Sequence, residues 1–272
     1  MTMSLPKKIG FYFLLTVAAL IVFFPVIYAF MISFMTGPEI MQGKFLPQSI
    51  QFDNYSRVFE RLPLLNYIIN SFIVSAGVMV GQLVVCSLAA YAFVFIPFRG
   101  SKAVFYLFIS TMMIPWEATM IPNFLIIQKL DWMNTYQGLT FPFFALAFGT
   151  FLLRQHFKTI PHELYEASRI AGIGRFGFFW RVILPVSKTS LVTLGAYGFL
   201  TTWNMYLWPL LITTNDSVRT VQIGLKQLQS QETATEWGVV MAGVMIVIIP
   251  TLLLLFLGKK QLQKGLSQGA LK

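Results

Sequence analysis

The chain alternates long apolar runs with short polar connections. Runs can be drawn at 11–34, 67–97, 103–126, 139–157, 189–212 and 237–258. Each is close to the roughly 20 residues a helix needs to cross a bilayer core of about 30 Å. Only helices and closed barrels satisfy their backbone in lipid. The runs are continuous rather than alternating, so a barrel is excluded and an all-α transmembrane fold with six spans is expected. Two runs carry internal breaks. Pro115 and Pro122 interrupt the third, with Glu117 between them, and Asn204 and Pro209 interrupt the fifth. Gly77 and Gly81 form a G-x-x-x-G pair in the second run, which permits close helix approach but says little about function.

Charge placement gives the orientation. The net charge of +10 would be compatible with nucleic acid if the basic residues were gathered together. They are instead divided by side. Lys7, Lys8, Arg99, Lys102, Arg154, Lys158, Arg169, Arg175, Arg181, Lys188, Lys259, Lys260, Lys264 and Lys272 fall on one face of a six-span topology. Lys44, Arg57, Arg61, Lys129, Arg219 and Lys226 fall on the other. Fourteen against six, by the positive-inside rule, puts both termini and the connection after the fourth run in the cytoplasm. No nucleic-acid partner is expected. Lys7 and Lys8 before an apolar stretch imitate a signal peptide, yet the stretch is too long and no small-x-small cleavage site follows, so it reads as a retained span. The outer connections are 35–66, with a helix expected near "FDNYSRVFERL", and 213–236. Either they dock something outside the membrane or they cap the bundle.

Composition changes little beyond this. Charged residues make up 11% of the chain, against roughly 25% in a soluble protein, as a membrane class requires. A single Cys86 excludes a disulfide framework and a thiolate metal cluster. It reads as a small packed apolar residue. His156 and His162 neither have metal-ligand spacing nor pair with a nucleophile, and are expected to be solvated. No catalytic residue and no metal site is expected.

The inner connection "PHELYEASRIAGIGRFGFFWRVILP" has its own pattern. Pro161 fits a first helical turn, Glu163 and Glu166 favour a helix N-terminus, and Leu164, Ala167, Ile170 and Ala171 make one apolar stripe. Gly172 ends the helix and Gly174 loosens the chain. Two readings remain open from the pattern: an amphipathic helix lying on the inner membrane face, or a helix that fits a pocket on another protein.

The same residues resemble the cytoplasmic signature of the membrane subunits of bacterial ABC importers. Glu166, Ala167, Ser168 and Gly172 match it, and Leu184 and Pro185 stand at the expected distance. Ser168 replaces an Ala of the pattern and Ala171 stands where Asp is common. "GTFLLRQHF", "TTWNMYLWPLLITT", "EWGVVMAGVMIVIIP" and "KKQLQKGLSQGALK" are similar to carbohydrate-type permeases, the branch of maltose and glycerol-3-phosphate importers. The resemblance implies a type I ABC importer permease fold with six transmembrane helices, a single domain over 1–272 with its core at 67–258, a coupling segment at 159–185 and a tail at 259–272. It implies that Glu163, Glu166, Ala167, Ser168, Gly172, Leu184 and Pro185 couple to an ATPase subunit, and that Gly265, Gly269 and Ala270 belong to a tail contact. It further implies a homologous second permease subunit, two ATPase copies and an extracellular or periplasmic solute-binding protein, in a bacterial cell membrane.

No G-x-x-x-x-G-K-[ST] phosphate loop is present, so ATP and Mg are expected on the partner ATPase and no cofactor in this chain. For the translocation path the candidates are Glu117, Asn204 and Tyr206, with Trp203 and Trp208 beside them. Each has a structural alternative: Glu117 can satisfy backbone freed by the prolines, Asn204 can bridge helices, and the aromatics can anchor at the interface. "PVSKTSL", "WNMYLWPLLITT" and "TATEW" look closest to the glycerol-3-phosphate type. Another sugar or oligosaccharide, or a non-transport scaffold, are the alternatives.

Overall fold

The computed structural model describes residues 5–229 and 236–270, the side chains of residues 5–7, 255 and 257–270 lying outside that description. Three helices are by themselves long and apolar enough to cross a membrane: Lys8–Ile32, Leu64–Phe95 and Trp237–Leu254. Three bent helix pairs are also long and apolar enough together, and counting each as one span brings the number among the described residues to six.

The bends have local causes. Ser101–Met113 and Trp116–Lys129 meet at 99°, with Pro115 held extended at ψ 140 as the N-cap of the second piece. Proline disfavours the helical conformation in the residue before it, and Ile114 is accordingly extended, with ψ 115. Pro122 departs from expectation: it lies inside Trp116–Lys129 without breaking it. Asn123 Nδ2 donates to the Thr119 carbonyl at 2.9 Å in the same turn. Tyr136–Phe143 and Ala147–Phe157 meet at 48°. The fifth span also departs from expectation. Lys188–Trp203 is paired across an 80° bend with Arg175–Val186, and the chain beyond Asn204 forms a separate short helix, Leu207–Ile212.

Contacts divide the chain into two compact units, Met1–Leu64 with Gly224–Ile249, and Leu65–Ile223 with Pro250–Lys272. In the first, the expected helix near "FDNYSRVFERL" is Asp53–Arg61. Its buried Asn54 donates to the carbonyls of Ser33 (3.0 Å) and Met35 (3.1 Å). One turn on, Arg57 and Arg61 both pair with Glu236. Thr36 and Glu39 close a capping box on the turn Gly37–Met41.

Two hydrophobic clusters build the second unit. One gathers Val74, Ile127, Leu139, Trp208, Ile212 and Val218. The other gathers Cys86, Tyr91, Phe95, Leu153, Phe157 and Leu194 with Phe178, Phe179 and Ile183. Cys86 is fully buried, as expected of a packed thiol. Gly81 serves packing within the chain, because a Cβ there would lie 2.2 Å from the Phe144 ring.

Candidate coupling site

The connection after the fourth span folds as a short helix followed by a return. Pro161 is the N-cap, His162–Ile170 is helical, and Glu163 sits in the first turn. The end is a Schellman motif. The Gly172 N–H donates to the Arg169 carbonyl at 3.0 Å, and the Ile173 N–H reaches the Ser168 carbonyl at 2.9 Å. Gly172 carries φ +72 in the left-handed region, where a residue with a Cβ is disfavoured. The chain then runs Arg175–Phe178, a wider π turn Phe179–Ile183, and Leu184–Val186. The loose winding falls just before Pro185, whose ring clashes with the carbonyl four residues back in a tight α-turn.

The helix has two unlike faces. Ser168 is buried, its hydroxyl donating to the Tyr165 carbonyl at 2.7 Å. The Tyr165 ring packs 5.2 Å from Phe178 and 6.1 Å from Phe95. Tyr91, from the second span, donates to the Arg175 carbonyl at 2.8 Å. The segment is thus bolted to the membrane-spanning core through its aromatic side. The stripe of Leu164, Ala167, Ile170 and Ala171 faces outward, with Ile170 89% and Leu164 41% exposed. An isoleucine left so bare forgoes about 1.5–3 kcal/mol that burial would return.

The expected coupling residues therefore separate. Glu163, Glu166 and Ala167 are exposed, as is Pro185, while Leu184 is half-buried against the core. Glu166 lies 3.6 Å from His162 Nδ1, both side chains in solvent. Ser168 faces the core instead of the outside. Gly265, Gly269 and Ala270 lie on the Trp237–Ala270 helix, in its part whose side chains are outside the described residues. His162 is solvated, but His156 is only half-exposed and its Nε2 is buried. Its helix, Ala147–Phe157, turns that ring partly inward.

The path candidates separate as well. Glu117 is exposed in the first turn of Trp116–Lys129. Asn204 is exposed and caps its helix, Nδ2 donating to the Leu200 carbonyl at 2.8 Å, and Tyr206 is half-buried. Trp203 and Trp208 are core residues, 1% and 0% exposed, and Trp208 Nε1 donates to the Gly138 carbonyl at 3.0 Å. Their bulk closes the core and keeps both rings off any aqueous surface.

Sequence reasoning missed a polar clamp at the start of the second span. Asn70 Nδ2 donates to the carbonyls of Ser217 and Arg219, both at 3.0 Å, and Tyr136 donates to Asn70 Oδ1 at 2.7 Å. Tyr67 donates to Asp216 at 2.7 Å, and Arg219 pairs with the same carboxylate at 2.7 Å. The Tyr67 hydroxyl and then Arg219 hold Asp216 below its ordinary carboxylate value. The readable signal was a cluster of polar residues, Asn70, Ser71 and Ser75, in an otherwise apolar run.

Known proteins resemble this chain in sequence and in fold. The chain is 34% identical over 262 residues, 93% of each chain, to "sn-glycerol-3-phosphate transport system permease protein UgpE" of Yersinia pestis. It is 36% identical over 263 residues, again 93% of each, to the protein of that name in Rhizobium meliloti (strain 1021). A crystal structure of a bacterial ABC transporter involved in the import of the acidic polysaccharide alginate superimposes with a TM-score of 0.84 at 26% identity, covering 96% of this chain and 99% of that one. The same transporter type in complex with a periplasmic protein bound to alginate pentasaccharide superimposes at 0.67 and 15% identity, a likeness of fold. The profile described as "Binding-protein-dependent transport system inner membrane component" matches residues 82–266, which take in the whole bolted segment and five of the six spans at least in part. On that match, and on relatives identical at 34–36% over 93% of the chain, the chain belongs to the inner-membrane components of binding-protein-dependent transport systems.

Proposed function

We propose that the chain is the permease subunit of an ATP-driven importer of sn-glycerol-3-phosphate, which it moves by alternating access. One observation carries the coupling role: a bare apolar stripe on the His162–Ile170 helix lies opposite an aromatic face fixed to the spans. A push on that stripe is delivered to the membrane helices rather than absorbed by a loose loop. The pusher is an ATPase subunit, present in two copies and carrying ATP and Mg; this chain contributes no catalysis. Leu164, Ala167 and Ile170 enter the ATPase, Glu163 and Glu166 flank the contact, and Gly172 fixes the helix end. Ser168, Leu184 and Pro185 set the segment's mount. Gly265, Gly269 and Ala270 are the tail's contact with the ATPase pair. Both termini lie in the cytoplasm, consistent with the charge bias.

A homologous permease subunit completes the channel, and a solute-binding protein delivers substrate from outside. Glu117, Asn204 and Tyr206 line the path or its border with that second subunit, positions where an exposed polar group avoids the roughly 2.5–3.5 kcal/mol cost of a carboxylate in lipid. The name shared by the curated relatives supports sn-glycerol-3-phosphate. The alginate importer's high TM-score supports a second reading, a sugar or oligosaccharide as cargo. Uptake by the reconstituted complex decides between them. Labelled sn-glycerol-3-phosphate should accumulate with ATP, and excess maltose should leave that accumulation unchanged. ATP-dependent uptake of labelled maltose, with no uptake of the phosphate, would establish the sugar reading. Normal uptake in an I170E variant would remove the coupling role assigned to the stripe.

A further inference from the structure

Beside the coupling helix lies an open pocket of about 650 Å³, whose lining does not include Ile170. Its walls come from two stretches, the end of the second span with its following turn (93–101) and the coupling segment (162–175). Arg99, Arg169 and Arg175 all line it, with His162 at the edge. Among the described residues, none of these three guanidiniums has a carboxylate within ion-pair distance, and all three belong to exposed residues. Three like charges around one hollow repel each other and favour an anion between them. The rest of the lining is hydrocarbon and aromatic: Phe93, Val94, Phe95, Phe98 and Tyr165. Phe95 is buried in the core with the partly buried Tyr165 ring tilted against it, and Phe98 is 40% exposed at the point where the membrane-spanning helix has just ended.

This pairing selects among anions. A free phosphate ion is strongly hydrated and gains nothing from an apolar wall. A phospholipid headgroup presents phosphate and hydrocarbon together, at the depth where a spanning helix emerges. Basic pockets between membrane helices on the cytoplasmic side are suited to such headgroups. Arg175 is also the residue whose carbonyl receives the Tyr91 hydroxyl, so its backbone is pinned at the pocket rim. We propose that this pocket binds the phosphate of an acidic phospholipid, in the inner leaflet on the orientation argued above, and that the bound headgroup ties the coupling segment to the membrane surface.

The test reads lipid retention and not uptake, so failure of the substrate assignment leaves it standing. The complete transporter, with its partner subunits, is reconstituted in nanodiscs of phosphatidylcholine containing a minor share of phosphatidylglycerol and examined by native mass spectrometry. The wild type should retain phosphatidylglycerol over phosphatidylcholine. An R99Q/R175Q variant should lose that preference about tenfold, and R99K/R175K should keep most of it, which separates charge from folding. If the double glutamine variant does not assemble, R99Q alone carries the comparison. Equal retention of the two lipids by the wild type, or an unchanged preference in the glutamine variant, overturns the proposal. Displacement of phosphatidylglycerol by inorganic phosphate marks a free-anion site and overturns the lipid assignment. Loss of the ATPase subunit from the glutamine variant, with no lipid preference in the wild type, marks a protein seat and overturns it too.

Discussion

The hydroxyl of Tyr91, inside the second span, donates to the backbone carbonyl of Arg175, 84 positions later and just past the coupling helix, at 2.8 Å. This single bond joins a membrane-spanning helix to the segment proposed to meet the ATPase. Tyr91→Phe keeps the ring and its contacts with Phe179 and Phe95, and removes only the bond, worth about 1 kcal/mol. The thermal transition of the purified complex should fall slightly. ATP hydrolysis should be retained while transport per ATP falls, since the mount of the coupling helix is loosened. Equal losses in hydrolysis and transport would show that the bond supports assembly alone.

Gly172 tests whether the helix end is a matter of backbone or of space. A Cβ built there meets nothing within 4 Å, so crowding within the chain cannot be the reason for glycine. The φ of +72 can be. A β-branched residue in the left-handed region is penalised by roughly 1–2 kcal/mol, and asparagine far less. Uptake should therefore rank Gly172→Asn above Gly172→Ala, and Gly172→Ala above Gly172→Val, with membrane insertion equal in all three. If asparagine is as damaging as valine, contact with the partner's surface governs the position instead.

Gly81 makes the opposite case. Its Cβ would fall 2.2–2.5 Å from three carbons of the Phe144 ring, so Gly81→Ala must push the ring aside. Overpacking of this kind costs about 1–3 kcal/mol. A second substitution, Phe144→Leu, opens the space and should restore most of the loss, a coupling that a double-mutant cycle on thermal stability would reveal. Additive losses would mean that the two residues do not share the strain.

Much of this was legible because lipid simplifies the problem. Apolar run length located the three helices long enough to span and the three bent pairs. Gly172 was legible as a helix stop because its neighbours had helical spacing and it did not. The geometry of the breaks was less so. Both Pro115 and Pro122 looked like interruptions, but only Pro115 begins a new helix; Pro122 is tolerated inside one. Ser168 was grouped with the coupling residues because it sits in the signature, yet a helix places it a quarter-turn from Ala167, on the buried side. Trp203 and Trp208 stood beside the path candidates in the sequence, and three-dimensional packing took both into the core. The Tyr91–Arg175 bond and the Asn70 clamp join positions tens to more than a hundred residues apart, which no local period encodes.

The pair of arginines on Glu236 should make stability depend on acid. The hydrogen bond from Arg61, helped by the charges of Arg57 and Arg61, holds this carboxyl below its ordinary value of 4.5. The unfolded chain then takes up the proton before the folded one does. The contribution is therefore complete above pH of about 4.5 and disappears as pH falls through the lower folded value. Because the Glu236 side chain is 38% exposed, solvent screens the pair and the effect should be modest, at most about 1 kcal/mol. Thermal melts of the complex across this range should show the wild type losing stability on acidification. Glu236→Gln should melt earlier at neutral pH and change less with acid, the two curves converging at low pH. A variant curve as steep as the wild type would move the acid sensitivity to Asp216, held low chiefly by the Tyr67 hydroxyl, or to Glu39, held low chiefly by the Thr36 backbone.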